Sequence, residues 1–194
     1  GTDMSYDGQV WWITGASSGI GAALARALSS HGAKIILSGR DEERLDEVAA
    51  TIATNTLTLP FDVRDEEAML AATQKAIAWT GNVDGFVANA GVSQRSRATK
   101  TSMQVYRDII DIDLTSQIGA SQALLPHMTG RGSGKLLFIS SIAGKVGVPM
   151  RTAYSAAKFA VKGFTEALIA DFRVNAPHLS AHVVMPGHIG TSIA

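Results

Sequence analysis

Val10-Trp-Trp-Ile-Thr-Gly-Ala-Ser-Ser-Gly-Ile-Gly21 is a short apolar run that meets three glycines and then turns helical, with Ile20, Ala23, Leu24, Ala27 and Leu28 recurring on one side. The period identifies a strand, a tight turn and a helix. Gly15, Gly19 and Gly21 suit a turn where the chain doubles back and a pyrophosphate approaches, met by free N–H groups at the helix start. A tight turn without a ligand is the plainer use of the same residues. The place of the triplet, between a first strand and a first helix, favours the nucleotide.

Outward from this turn, strand-like runs follow at Lys34–Ser38, Leu57–Phe61, Val83–Ala88, Lys135–Ile139 and Ala181–Met185. Helical periods occupy Asp41–Ile52, about Asp65–Trp79, a long stretch from Ser102 to roughly Met128, and about Tyr154–Asn175. Short strands alternating with longer helices predict an α/β protein with a parallel sheet covered on both faces, a Rossmann-type doubly wound, three-layer α/β/α arrangement. Neither a repeat nor a linker divides the pattern, so residues 1–194 read as a single dinucleotide-binding domain. At least one ring of the Trp11-Trp12 pair belongs to its core.

Composition narrows the function. The 194 residues can bury a substantial core, and 46% apolar and 18% charged residues with zero net charge are ordinary for a soluble globular chain. No basic excess points to nucleic acid or an anionic membrane, and neither is expected as a partner. The chain has no cysteine, which excludes disulfides, thiolate nucleophiles and cysteine-bound metal within it. With no leader and no apolar stretch of spanning length, the expected location is cytoplasmic. His31, His127, His178, His182 and His188 lack metal-site spacing, and no metal is assigned.

Ser38-Gly39-Arg40-Asp41 closes the second strand. A carboxylate there suits the adenosine ribose of NAD(H), whereas a 2′-phosphate needs room and a guanidinium. Gly39 and Arg40 favour NADP(H), with NAD(H) as the alternative, and Asp41 stands against that preference. Asp62, after the third strand, is either an acceptor for the adenine amino group or a turn acceptor. Asn89, after the fourth, reads more readily as a bridge between strand ends.

Tyr154 and Lys158 are four apart, on one face of a helix. A neighbouring ammonium and an oxidised nicotinamide favour phenolate, and in reduction the same Tyr gives its proton to a carbonyl oxygen. Ser141, after the fifth strand, can hold that oxygen in line.

Together the glycine motif, Asp62-Val63, Asn89-Ala-Gly91, Ser141, Tyr154-Ser-Ala-Ala-Lys158 and Pro186-Gly187 with Thr191 resemble a classical short-chain dehydrogenase/reductase, from about residue 8 to the end of the chain. The resemblance implies Tyr154 as acid/base, Lys158 lowering its pKa while binding the nicotinamide ribose, and Ser141 positioning substrate. It implies cofactor contacts from Gly15, Ser17, Ser18, Gly19, Ile20, Gly21, Arg40, Asp62, Val63, Asn89, Ala90 and Gly91, and from Pro186, Gly187, Ile189 and Thr191 at the nicotinamide. It also implies a homodimer or homotetramer joined across the long helices. Where the family carries Asn, ordering a water linked to the catalytic Lys, this chain has Asp113, which adds a negative charge beside Lys158. Ala88 replaces the first Asn of the usual Asn-Asn-Ala-Gly run. Relatives continue past Thr191 into a substrate lid and a last strand, which these 194 residues lack; either the protein ends here or, as the favoured expectation, it continues into both.

The leading expectation is an NADP(H)-dependent oxidoreductase interconverting a secondary alcohol and a ketone, or reducing an aldehyde. Ile142, Val146, Val148 and Met150 favour a hydrophobic substrate. The alternative is a catalytically weak or inactive NADP(H)-binding sensor or structural subunit.

Overall fold

Six parallel strands and six α-helices are built by residues 4–186, the part of the chain described by the computed structural model. In chain order they are β1 (Val10–Ile13), α1 (Gly19–Ser30), β2 (Lys34–Leu37), α2 (Glu42–Ala49), β3 (Thr56–Thr58), α3 (Glu66–Thr80), β4 (Gly85–Ala88), α4 (Met103–Ile110), α5 (Ser116–Arg131), β5 (Gly134–Ile139), α6 (Thr152–Asn175) and β6 (Leu179–Val184). The strands lie in the order β3-β2-β1-β4-β5-β6, and every pairing is parallel. This is the doubly wound α/β/α Rossmann arrangement. Its strand order reverses between β1 and β4, which opens a crevice at their carboxyl ends.

Successive side chains of a strand point to opposite faces, so an unbroken apolar strand must be covered twice. Trp11, Ile13, Ile35, Leu37, Val87 and Leu137 share one core with Leu24 and Leu28 of α1 and Leu45 of α2. Trp12, Ile36, Phe86, Leu136 and Phe138 share the other with Met69 of α3, Leu124 of α5 and Val161 and Phe172 of α6. Both tryptophans are fully buried, one in each layer. Their indole N–H groups donate to Gln9 Oε1 at 2.9 Å and Ser38 Oγ at 2.8 Å respectively, which satisfies the polar end of each ring.

Several boundaries differ from the sequence reading for identifiable reasons. β3 ends at Thr58, before Pro60, yet the N–H groups of Leu59 and Phe61 still reach Leu37 O and Gly39 O at 2.8 and 3.0 Å. The expected long helix before Met128 is two helices joined by a π-turn at Asp111–Thr115. That turn places Asp113 in the interior, fully buried. Four helices begin on side-chain caps, Ser18, Asp41, Asp65 and Ser102, each accepting the N–H three residues on. Helix α6 begins at Thr152, two residues before Tyr154, and Arg151 at its cap position makes no such bond.

Gly85 of β4 lies beside Trp11 of β1. A Cβ on Gly85 would sit 2.3 Å from the Trp11 ring, a contact that only displacement of the ring could relieve. Gly85→Ala is therefore expected to lower stability by about 1–3 kcal/mol through overpacking. Urea unfolding of the two proteins measures it, and an unchanged midpoint would show that the Trp11 ring shifts at no cost.

Candidate active site

At the turn after β1, Gly15 adopts φ +61°, a left-handed conformation suited to glycine. A Cβ on Gly21 would meet Gly15 O at 2.2 Å and Asn89 Nδ2 at 2.8 Å, so this glycine lets α1 pass directly over the turn. Gly19 is different: a Cβ there would meet none of the described residues within 4 Å. Packing among those residues makes no use of its bare backbone, whereas a group approaching the first turn of α1 would. Asn89 donates from Nδ2 to Gly15 O and to Ser18 Oγ, each at 3.1 Å, and so joins the end of β4 to the β1 turn. Thr14 Oγ1 accepts the N–H groups of Asn89 and Ala90 at 3.1 and 3.2 Å, a bridging role that the sequence reading missed. Gly15, Ser17, Ser18, Gly39, Arg40, Asp62, Val63, Asn89, Ala90 and Gly91 line a groove of about 260 Å³ across the switch point.

The end of β2 separates the roles of its charged residues. Asp41 caps α2 through Arg44 N–H at 3.2 Å, and its carboxylate also lies 3.6 Å from the Arg44 guanidinium. Arg40 is exposed in the groove, its Nε 3.9 Å from Asp62. Arg64, which the sequence reading did not single out, forms a fork with Asp62 at 2.8 to 3.3 Å and adds a backbone N–H bond at 3.0 Å. Hydrogen bonding to Arg64 holds the Asp62 carboxyl down at about 2, so it is an ionised acceptor at neutral pH.

Tyr154 and Lys158 meet at the carboxyl end of β5. Lys158 is buried, donates from Nζ to Ile139 O at 3.1 Å, and holds Nζ 5.6 Å from the Tyr154 ring centroid. Burial lowers its pKa, and the nearby Asp113 charge offsets part of that shift. Ser141 lies two residues beyond β5, and its Oγ accepts Ala143 N–H at 3.2 Å. The turn it begins lies against α6: a Cβ on Gly144 would be 3.6 Å from Lys158 Cβ. Pro186 is the last described residue, and Gly187, Ile189 and Thr191 lie outside the described residues. Val146 and Met150 are exposed, so they do not by themselves enclose an apolar pocket.

Comparison with known proteins agrees with this geometry. The family model described as short chain dehydrogenase matches residues 9–194. The chain belongs to the short-chain dehydrogenase family. Family membership makes it a nicotinamide-dependent oxidoreductase. It is 38% identical over 193 residues to the Mycobacterium tuberculosis protein named SadH, covering 98% of this chain and 70% of that one. Vertebrate dehydrogenase/reductase SDR family members 7 and 7B are longer, and the chain spans 57–61% of their lengths. A metagenomic short-chain oxidoreductase solved in complex with NADP superposes with a TM-score of 0.89 at 30% identity, over 96% of this chain and 88% of that one. A Burkholderia phymatum short-chain dehydrogenase/reductase solved with NAD also reaches 0.89, at 26% identity over 93% of this chain and 66% of that one.

Within the family frame Asp113 has a definite setting. Its Oδ1 accepts Val92 N–H at 2.7 Å, while Oδ2 is buried without a hydrogen-bond partner among the described residues. Gln117, another residue passed over in the sequence, donates to Ala90 O at 3.0 Å and leaves its own Oε1 buried without a partner among the described residues. Burial pushes the Asp113 carboxyl up to about 6, against the opposing pull of the Val92 N–H and the Lys158 charge. A carboxyl raised in the folded state keeps its proton there after the unfolded chain has lost it. Its adverse effect is absent below its ordinary value of 3.8 and grows as pH rises to about 6. Asp113→Asn removes that titration, so its stability relative to the parent should rise by as much as roughly 3 kcal/mol between about pH 4 and pH 7. Urea midpoints across that range measure the gap, and a constant difference would show that Asp113 does not titrate there.

Proposed function

We propose that the chain carries an NADP(H)-preferring oxidoreductase that interconverts a secondary alcohol and a ketone or reduces an aldehyde, with Tyr154 as acid/base. The observation that carries this reading is the buried Lys158, held by Ile139 O with its ammonium 5.6 Å from the Tyr154 ring centroid beside the switch-point crevice. The N-terminus of α1 and the turn of Gly15, Ser17, Ser18, Gly19, Ile20 and Gly21 receive the pyrophosphate. Arg40, exposed in the groove, receives the 2′-phosphate; occupation of Asp41 as a helix cap supports this choice over a ribose-binding carboxylate. Asp62 with Val63 borders the adenine, and Ala90 and Gly91 border the ribose beyond it. The nicotinamide, when bound, supplies or accepts the hydride.

The residues of the chain handle the proton. In reduction Tyr154 donates its O–H proton to the carbonyl oxygen, and the positive charge of Lys158 stabilises the phenolate that remains. Ser141 Oγ already accepts the Ala143 N–H, which leaves its own O–H free to donate to the same oxygen. Asp113 acts one step back by helping to keep Lys158 charged. No helix among the described residues is long and apolar enough to cross a membrane. A cytoplasmic location, a small-molecule partner rather than nucleic acid, and a homodimer or homotetramer across α5 and α6 complete the reading. Relatives solved with NADP and with NAD support both nicotinamides.

Asp113 also favours a second reading, an NADP(H)-binding subunit with little turnover, because an unpartnered carboxylate oxygen lies buried near the catalytic lysine. Tyr154→Phe discriminates. The reductase reading expects carbonyl-dependent NADPH oxidation to fall by about 10²–10⁴-fold with NADPH binding retained. A parent protein without turnover on a broad carbonyl panel would favour the subunit. Separately, Arg40→Ala should weaken NADPH binding by about tenfold or more, the loss of one charged hydrogen-bonded contact, and leave NADH nearly unchanged. Equal losses in fluorescence titrations would show that Arg40 does not read the phosphate.

A further inference from the structure

We infer that Gln94, on the loop after β4, is the helix cap that positions Tyr154, by holding the first turn of α6 from a point sixty residues away in the chain. Helix α6 starts with Arg151 at its cap position, and no side chain of that residue bonds the first turn. The N–H groups of the first turn need acceptors. Gln94 Oε1 takes two of them, Ala153 N–H at 2.8 Å and Tyr154 N–H at 3.3 Å. Ala153 is fully buried, so with Gln94 in place its N–H is served by this acceptor and not by solvent.

The amide is held in this orientation. Its Nε2 has two hydrogens for three acceptors, Ser96 Oγ at 3.1 Å, Thr101 Oγ1 at 3.0 Å and Thr152 Oγ1 at 3.3 Å, so one hydrogen is shared. A flipped amide would set NH₂ against two backbone N–H donors. The hydroxyl cluster is itself joined, Ser96 to Thr101 at 2.6 Å and Thr152 to Tyr106 at 2.7 Å. Gln94 is buried, with its donor and acceptor capacity filled. Two further bonds join the same loop to the turn before α6: Ser96 N–H to Met150 O at 2.9 Å and Arg151 Nη1 to Ser93 Oγ at 2.7 Å. The loop that follows Asn89-Ala-Gly91 at the cofactor groove is thus fastened to the third residue of the helix that carries the proton donor. Gln94 touches neither substrate nor cofactor in this scheme; it is a positioning residue, and its catalytic consequence rests on the role proposed for Tyr154.

Two substitutions test it. Gln94→Leu removes the acceptor and the donors. Gln94→Glu keeps two acceptor oxygens near a helix N-terminus, where the neighbouring hydroxyls can turn to donate. Amide hydrogen exchange at Ala153 and Tyr154 is measured by NMR, together with kcat and KM for a carbonyl substrate and Kd for NADPH. Because misplacement of a reacting group by about 1 Å can cost on the order of 100-fold, Gln94→Leu should lower kcat by about 10–100-fold. The same variant should exchange both amides at least about tenfold faster, as expected for an uncapped first turn, with NADPH Kd within about twofold of the parent. Gln94→Glu should restore both exchange and kcat. Parent-like exchange in Gln94→Leu overturns the cap. Faster exchange with unchanged kcat overturns the positioning role, as does a loss that Glu fails to recover and that NADPH binding shares. If Gln94→Leu does not fold, Gln94→Asn, one methylene short of the helix, carries the same comparison. A parent with no carbonyl turnover sinks the reductase reading, while exchange still decides the cap.

Discussion

Where α1 leaves the first turn, its backbone passes so close to Gly15 O and the Asn89 side chain that residue 21 has room for hydrogen only. That approach fixes three segments relative to one another: the end of β1, the start of α1 and the end of β4. Asn89 bonds the turn from one side, and Thr14 bonds the β4 end from the other. The direction of α1, and with it the place where its unpaired N–H groups face outward, follows from this junction. So does the crevice that Asp62 and Asn89 line. A larger residue at position 21 would push α1 off the turn and away from the Asn89 side chain that ties the turn to β4.

Much of this architecture was legible because parallel sheets have a simple apolar signature. Residues 34–37 and 135–139 contain unbroken or nearly unbroken apolar runs, and the structure pairs both as interior strands. Glycine spacing located the turn, and the Tyr-to-Lys interval placed both residues on one helical face. What stayed hidden depends on partners distant in sequence. Gln94 sits in a polar stretch that reads as a solvated loop, and only the tertiary fold brings five hydrogen-bonding groups around its amide. Arg64 reads as a helix-start residue until Asp62 is seen to turn back onto it. The π-turn carries no local punctuation: residues 103–131 keep a helical period while one extra residue slips into the ladder at Asp113.

That π-turn gives the interior an electrostatic character that the apolar strands alone would not have. Asp113 and Lys158 are both buried, and each moves the other toward its charged form while burial moves both away from it. Such opposition leaves small changes in surroundings with large effects on protonation, because charges interact more strongly where water is excluded. π-turns of this kind are concentrated at functional sites, and here the turn carries its acidic residue to the β4 loop through Val92.

The paired tryptophans of β1 have one further consequence, for the search the chain makes as it folds. A slip of one residue in a strand exchanges the faces of all its side chains. In Val10-Trp-Trp-Ile13 such an error would replace one indole with the other and leave the oily character of each layer almost the same. Hydrophobicity alone is therefore a poor proofreader of this strand. The discriminating elements are the ring nitrogen of Trp12, which finds Ser38 beyond β2 only in the native alignment, and Gly85, which clears space beside Trp11 and not beside its neighbour. Misalignment would strand that buried donor, and the polar penalty selects the correct pairing.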